Sequence, residues 1–532
     1  MNKSKLALAV VATLCALSST ATYAASFTKD ANKTDIAQFN KKHGVVTERN
    51  YVLQADYMLQ SGTAPTKDRP VTCLDFPWGK NINLGADEAN LCSDDLSDTT
   101  IDVVYFYHPA WIEMMPSLGE AYKFARDSIE LANEGMAENT NIKVKLVGFE
   151  APDFTGYKEA VYDFYMALYG ELPDQDEYNA IPSPLNFTHH APTWYEEADG
   201  TGSRVKHVGL DDYMQNSTYF FDYAKKYGME GSNFKVGALM NRLGADHYAF
   251  GRPREENIDP GESVLCGFGG GQGSFLMLDQ DSKLGGSCPN VFTHEFGHGL
   301  KASHEEEYGV SNEWYSGRAY SCDQKATVMH SIASQSNHLF FSSPDTVRNG
   351  EVCGVDDKAN NAWYVEKSGP LMANTREKMA INGSTWFASG SISADEDAGT
   401  VSFKVMRDGD LSEPTSVKVF IDGAVTDNLL RQDFINVAFP AGGNESTVTV
   451  SIVNNESTED NRDLVAELVL PVEMSIGTQG KMSIALVNDD QEETPTTPTT
   501  PTPEPKPESS GGGSLGFISL LLLAAVGRLR KA

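Results

Sequence analysis

The stretch HEFGHGLKASHEEEYG, residues 294–309, sets three histidines and four glutamates within sixteen positions. On a helix, His294 and His298 are four residues apart and share one face. Two imidazoles so placed can grip one zinc ion. Glu295 stands beside the first of them. Zinc lowers the pKa of bound water toward ~7, so a neighbouring carboxylate can take its proton. The same carboxylate can pass that proton to a leaving amine, which completes the hydrolysis of a peptide bond.

His304 lies six residues beyond His298. On an uninterrupted helix that is a turn of ~600°, away from the first face. His304 reaches the metal only if the helix stops and the chain doubles back. Glycine would make that turn easy, but the residue at the expected stop is Lys301. A left-handed lysine costs roughly 1–2 kcal/mol. Zinc binding releases on the order of 10 kcal/mol, so the expectation is that His304 completes the set. The residues alone leave a second set open, with Glu305, Glu307 or Glu313 as the third ligand.

Other elements must hold this helix. IDVVYFYH, from Ile101, reads as a short buried strand, rich in β-branched and aromatic residues. SLGEAYKFARDSIELANEGMAEN repeats Ala121, Phe124, Ala125, Ile129 and Ala132 at helical spacing. IKVKLVGFE alternates as a second strand, so the three predict a βαβ crossover in a mixed sheet. FKVGALMNRLGADHYAFG and SVLCGFGGGQGSFLMLD are expected to supply two more strands, with a glycine-rich turn at residues 267–273. That run lacks the GK[ST] ending of a phosphate loop. Its glycines would let an extended ligand approach an edge strand. His189 and His190 read as an incidental loop pair.

The C-terminal third changes texture. GTVSFKVMRDG, TSVKVFIDG, STVTVSIVNN, DLVAELVLPV and KMSIALVNDD are regularly spaced alternating strands, the pattern of an antiparallel β-sandwich.

These features together resemble two families. His294, Glu295, His298 and His304 match the metzincin pattern HExxHxxGxxH, from which Lys301 departs. ATVMHS supplies Met329 where metzincins carry a methionine turn beneath the metal, and the strand–helix–strand at residues 101–149 resembles their opening elements. The resemblance spans about residues 100–365 and is nearest the reprolysin-type bacterial members. It implies an α+β catalytic domain with a mixed twisted sheet and a zinc-binding helix, acting as a zinc metalloendopeptidase with Glu295 as general base. Residues 385–490 resemble a Calx-β domain, an all-β immunoglobulin-like sandwich. That resemblance implies Ca²⁺ bound at one end by Glu396, Asp433, Asp460, Asp463, Asp489 and Asp490.

Composition frames these readings. The chain has 532 residues, with 74 acidic against 42 basic side chains, and a net charge of −32 argues against a nucleic-acid partner. Residues 1–24 read as a secretory signal peptide: Lys3 and Lys5, an apolar stretch, then small residues up to Ala24. Cys15 leaves with it, and six cysteines remain in an exported chain, which suggests disulfides. Pairing sequence neighbours gives Cys73–Cys92, Cys266–Cys288 and Cys322–Cys353, one of fifteen possibilities. Residues 25–99 read as a propeptide or an N-terminal subdomain, and residues 100–384 as the catalytic domain.

Residues 491–514 form a Pro/Thr/Gly linker. Residues 515–532 are a short hydrophobic tail with a basic end, below the length of a full membrane span. Gly511 to Gly513, the apolar run and the terminal basic residues resemble a Gly-Gly C-terminal sorting signal of Gram-negative bacteria. The resemblance implies a sorting protease of the rhombosortase type, type II secretion, transient membrane contact through the tail, and display at the cell surface. The expected function is a secreted, surface-associated endopeptidase acting on extracellular proteins or glycoproteins. A surface adhesin with a catalytically weak or inactive protease fold is the alternative.

Overall fold

The computed structural model describes residues 96–157, 234–253, 264–270, 272–278, 290–305, 317–331, 337–356 and 358–490. It also describes the short strands Tyr51–Val52, Glu196–Ala198 and Arg204–Lys206, and a few single residues between. Signal peptide, linker, tail, most of residues 25–99, the pair His189–His190, and Cys73, Cys92 and Cys288 lie outside the described residues.

A five-stranded sheet carries the first half. Its strands are β1 (Thr100–Tyr107), β2 (Lys143–Glu150), β3 (His247–Pro253), β4 (Gly267–Gly270) and β5 (Gly273–Leu278), in the order β2-β1-β3-β5-β4. β1 is an interior strand and its six inner residues are all buried, as a strand covered on both faces must be. β1 pairs parallel with β2 and β3, and β3 pairs parallel with β5. β4 alone runs antiparallel, at the edge beside β5.

Helix α1 (Pro109–Met114) follows β1 directly. Helix α2 (Leu118–Ala137) then makes the crossover to β2, as the spacing predicts. It starts at Ser117, whose hydroxyl accepts from Glu120 N at 3.0 Å. Ala121, Phe124, Ala125, Ile129 and Ala132 form its buried stripe.

The two segments expected to supply strands do so, as β3 and as β4 with β5, but a helix precedes β3. Lys235–Leu243 forms α3, with Val236, Met240 and Leu243 buried at i, i+4 and i+7. Gly244, at φ +63°, ends it in the left-handed region, and only then does β3 begin. Below, α4 (Val291–Gly299) is the histidine helix and α5 (Asn361–Ala373) closes the first half against β1.

The second half is a β-sandwich, so the architecture is mixed α+β with a largely β C-terminal region. Its strands are β6 (Ser384–Phe387), β7 (Ser391–Asp395), β8 (Thr400–Arg407), β9 (Thr415–Ile421), β10 (Phe434–Phe439), β11 (Glu445–Ser451), β12 (Arg462–Val469), β13 (Ser475–Ile476) and β14 (Lys481–Val487). One sheet runs β11-β8-β6-β13 and the other β7-β14-β12-β9-β10. Most pairs are antiparallel, but β6–β13 and β7–β14 are parallel. Inward residues such as Phe403, Val405, Val419, Leu468 and Ile484 alternate with outward ones and form the interior.

Cys322 and Cys353 form a disulfide with Cα atoms 5.1 Å apart. Cys266 is also disulfide-bonded, to a cysteine outside the described residues. Among the described residues no helix is long and apolar enough to cross a membrane.

Candidate metal centre

All nine residues of α4 are buried. Val291, Phe292 and Phe296 enter the apolar core, which leaves His294 and His298 together on another side. Their ring centroids are 4.9 Å apart. The helix ends where chain reversal requires it. Lys301 N donates to His298 O at 3.1 Å and Ala302 N to Gly297 O at 2.9 Å, the paired bonds of a Schellman ending. Lys301 takes the left-handed conformation at φ +67°. The turn brings His304 back, and its Nε2 lies 3.0 Å from that of His294 and 3.1 Å from that of His298. The His294–His298 Nε2 separation is 3.2 Å.

This triangle has the chemistry of a metal site. His294 Nδ1 faces Val328 O at 2.8 Å and His298 Nδ1 faces Ala302 O at 3.1 Å. Each carbonyl can only accept, so each Nδ1 carries the proton and each Nε2 presents a lone pair. The lone pairs of His294 and His298 converge with the third imidazole at a range that suits a shared cation. Tetrahedral zinc with Zn–N of about 2.0–2.1 Å would set nitrogens about 3.3–3.4 Å apart, within a few tenths of the observed triangle. The three histidines are the one group among the described residues able to hold a metal ion in this way. Burial, then the neighbouring histidines, hold the imidazoles of His294 and His304 well below their usual range, so both are neutral and competent to bind.

Glu295 is fully buried, and neither carboxylate oxygen has a hydrogen-bond partner. Burial raises its pKa well above the usual carboxylate value. The room it occupies exists because β4 is glycine-rich: a Cβ on Gly267 would fall 2.9 Å from Glu295 Cγ and Oε1. Gly269 likewise admits the Glu295 backbone. Edge strand, helix and carboxylate therefore meet at one place.

Met329 is fully buried beneath α4. A Cβ at Gly297 would lie 2.9 Å from Phe341 Cε1 and 3.2 Å from Met329 Cε. Just after it, Ser331 N donates to Glu305 Oε2 at 2.9 Å and Ser331 Oγ donates to Glu305 Oε1. His330 Nδ1 is 3.5 Å from the same carboxylate. Glu305 thus ties the segment of His304 to the turn after Met329, with both carboxylate oxygens engaged there. Glu307 and Glu313 lie outside the described residues. Spacing could not find Val328 O or Ala302 O, because a carbonyl that orients a ligand leaves no mark in residue type.

The six sandwich carboxylates are not gathered in this way. Glu396 is buried, and its Oε1 accepts from Asn455 N at 3.0 Å and from Asn455 Nδ2. Asp395 pairs with Val487 and Arg462 with Leu486, which puts Glu396, Asp460, Asp463 and Asp489 toward one end of one sheet. Asp460, Asp463 and Asp489 are exposed, and Asp490 ends the described chain. Asp433 corrects the expectation for it. It is buried at the start of β10, where its Oδ1 accepts from Gly119 N at 3.0 Å and its Oδ2 accepts from Ser117 Oγ. A carboxylate committed to a helix N-terminus is not free for calcium.

No known family model matches the chain, and no curated protein matches it. Among solved structures, the apo form of the Calx CBD1 domain is 20% identical over 20% of this chain and 99% of its own, with a TM-score of 0.20. The Calx CBD2 domain is 13% identical over 20% of this chain and 87% of its own, with a TM-score of 0.19. A chaperone–substrate complex is 14% identical over 53% of this chain and 35% of its own, with a TM-score of 0.32. Likenesses at this level carry no functional argument.

Proposed function

We propose that the chain is a zinc-dependent endopeptidase of metzincin type, exported and held at the cell surface, that cleaves extracellular proteins. The observation that carries the reading is the convergence of the Nε2 atoms of His294, His298 and His304 beside the partnerless carboxylate of Glu295. Bound zinc supplies a Lewis acid that polarises a peptide carbonyl and acidifies water. The three imidazoles would hold it, and Val328 O and Ala302 O keep two of them in the binding tautomer.

Glu295 carries the proton. Burial favours its protonated form, and a divalent cation nearby pulls it back toward the carboxylate. A group balanced in this way accepts a proton from water and returns it to the departing amine. β4 is the last strand of its sheet and rich in glycine, so its free edge is where an extended peptide would add as a strand next to Glu295. The acidic end around Glu396, without Asp433, is proposed as a calcium site that braces the sandwich.

Glu295→Ala separates binding from catalysis. The variant is expected to retain zinc at one ion per chain and to lose casein hydrolysis, while the parent protein loses hydrolysis on chelation. A fully active Glu295→Ala protein would sink the mechanism.

A further inference from the structure

The buried position of Asp433 has a role of its own. Its carboxylate seals the N-terminus of α2 from the sandwich side, accepting from Gly119 N and Ser117 Oγ. A negative charge at a helix N-terminus meets both the free N–H groups and the positive end of the dipole. Gly119 is shaped for it, since a Cβ there would fall 2.8 Å from Asp433 Oδ1. Around this contact Tyr122 of α2 packs on Phe434 at 4.7 Å and Phe420 at 5.2 Å, and Phe149 of β2 meets Phe434 at 5.5 Å. Lys418 pairs with Glu150 at 2.8 Å at the margin.

The contact continues to the metal site. Phe420, Val469 and Leu470 of the sandwich belong to the same apolar core as Phe292, Phe296 and Met329. α2 packs directly against α4. Sandwich, α2 and histidine helix therefore form one packed series.

We infer that the sandwich is a built-in support of the histidine site, with Asp433 as a positioning residue that fixes α2 and, through it, α4. The inference goes beyond the peptidase reading and stands without it, because it concerns how the three imidazoles are held.

The test uses the full chain. Scanning calorimetry of the parent should show the sandwich and the histidine-bearing half melting in a single transition. Asp433→Ala removes the cap and should lower that transition by about 1–3 °C. Hydrogen exchange should show lost protection in residues 118–137 and 291–299, and titration with Co²⁺ alone should show several-fold weaker binding. Asp433→Asn keeps an acceptor for Gly119 N and should restore most of each signal. If Asp433→Ala fails to fold, Ser117→Ala removes one partner only and should give the same pattern at smaller size. Separate melting of the two halves in the parent overturns the inference. So does a loss of protection confined to the sandwich, with 118–137, 291–299 and Co²⁺ binding unchanged.

Discussion

The histidine site and the acidic end of the sandwich both collect metal-binding side chains, but they hold them differently. His294, His298 and His304 come from one helix and the turn that ends it, are buried, and are aimed by carbonyls or by that turn. Glu396, Asp460, Asp463 and Asp489 come from separate strand ends, and three of them are exposed. The first set is fixed by burial, a helix ending and backbone carbonyls, whereas the second would have to be drawn together by an ion. Preorganised ligands lose little freedom on binding, and loose ones must be ordered at the expense of affinity. A strong site and a weak one should therefore coexist in one chain.

Removing a ligand should break this contrast most sharply. Loss of partners that merely orient a ligand costs about 10–100-fold in metal affinity. His304→Ala removes a ligand outright and should weaken zinc by more than about 100-fold, read by competition with a coloured chelator. A drop of only a few-fold would mean that His304 is a neighbour of the metal and not a ligand, and the site would lose its preorganised third arm.

The contrast also explains how much could be read in advance. Helical spacing fixes direction, so His294 and His298 were readable as one face, and Lys301 marked the stop before His304. The alternating sandwich strands were legible for the same reason, since their inward residues recur every second position. FKVGALMNRLGADHYAFG holds its expected strand in HYAFG, while the i, i+4, i+7 pattern and Gly244 before it specify α3, which a strand reading of the whole segment passes over. Asp433 misled because an acid near a strand start says nothing of its partner. That partner, Gly119, is 314 residues away. Long-range pairs of this kind have no local signal.

A change in the floor of the site should come next in size. Gly297 faces Met329 and Phe341 without room for a methyl group. Gly297→Ala should destabilise the chain by about 1–3 kcal/mol through overpacking, in spite of alanine's better helix propensity. The melt should be run with and without zinc, and an unchanged or raised midpoint would show that α4 has slack above Met329.

The acidic end should respond more weakly. Calcium at about ten times its dissociation constant would stabilise the folded chain by roughly 1.4 kcal/mol. The shift should disappear in Glu396→Ala and persist in Asp433→Ala, because the Asp433 carboxylate is already committed to Gly119 N and Ser117 Oγ. The full chain is the proper sample, since an isolated sandwich would expose Phe420 and Phe434. Absence of a calcium shift in the parent would remove the second site from the comparison altogether.

The smallest effect concerns Lys301, where the ordered site keeps a residue at odds with its backbone. Its φ of +67° is costly for any residue with a Cβ, by roughly 1–2 kcal/mol. Glycine relieves that strain but gains more freedom in the unfolded chain, an opposing term of about 0.4–1 kcal/mol. Lys301 is also buried, so any substitution removes side-chain contacts. Lys301→Ala isolates that loss, because alanine lacks the side chain but keeps the Cβ. Lys301→Gly should therefore be more stable than Lys301→Ala by on the order of 1 kcal/mol, with zinc affinity equal or higher. Were the helix to continue through this position in solution, glycine would instead be the worse of the two by about 1 kcal/mol. The sign of the difference between the two variants, read in thermal melts of zinc-loaded protein, decides whether the turn that delivers His304 persists in solution.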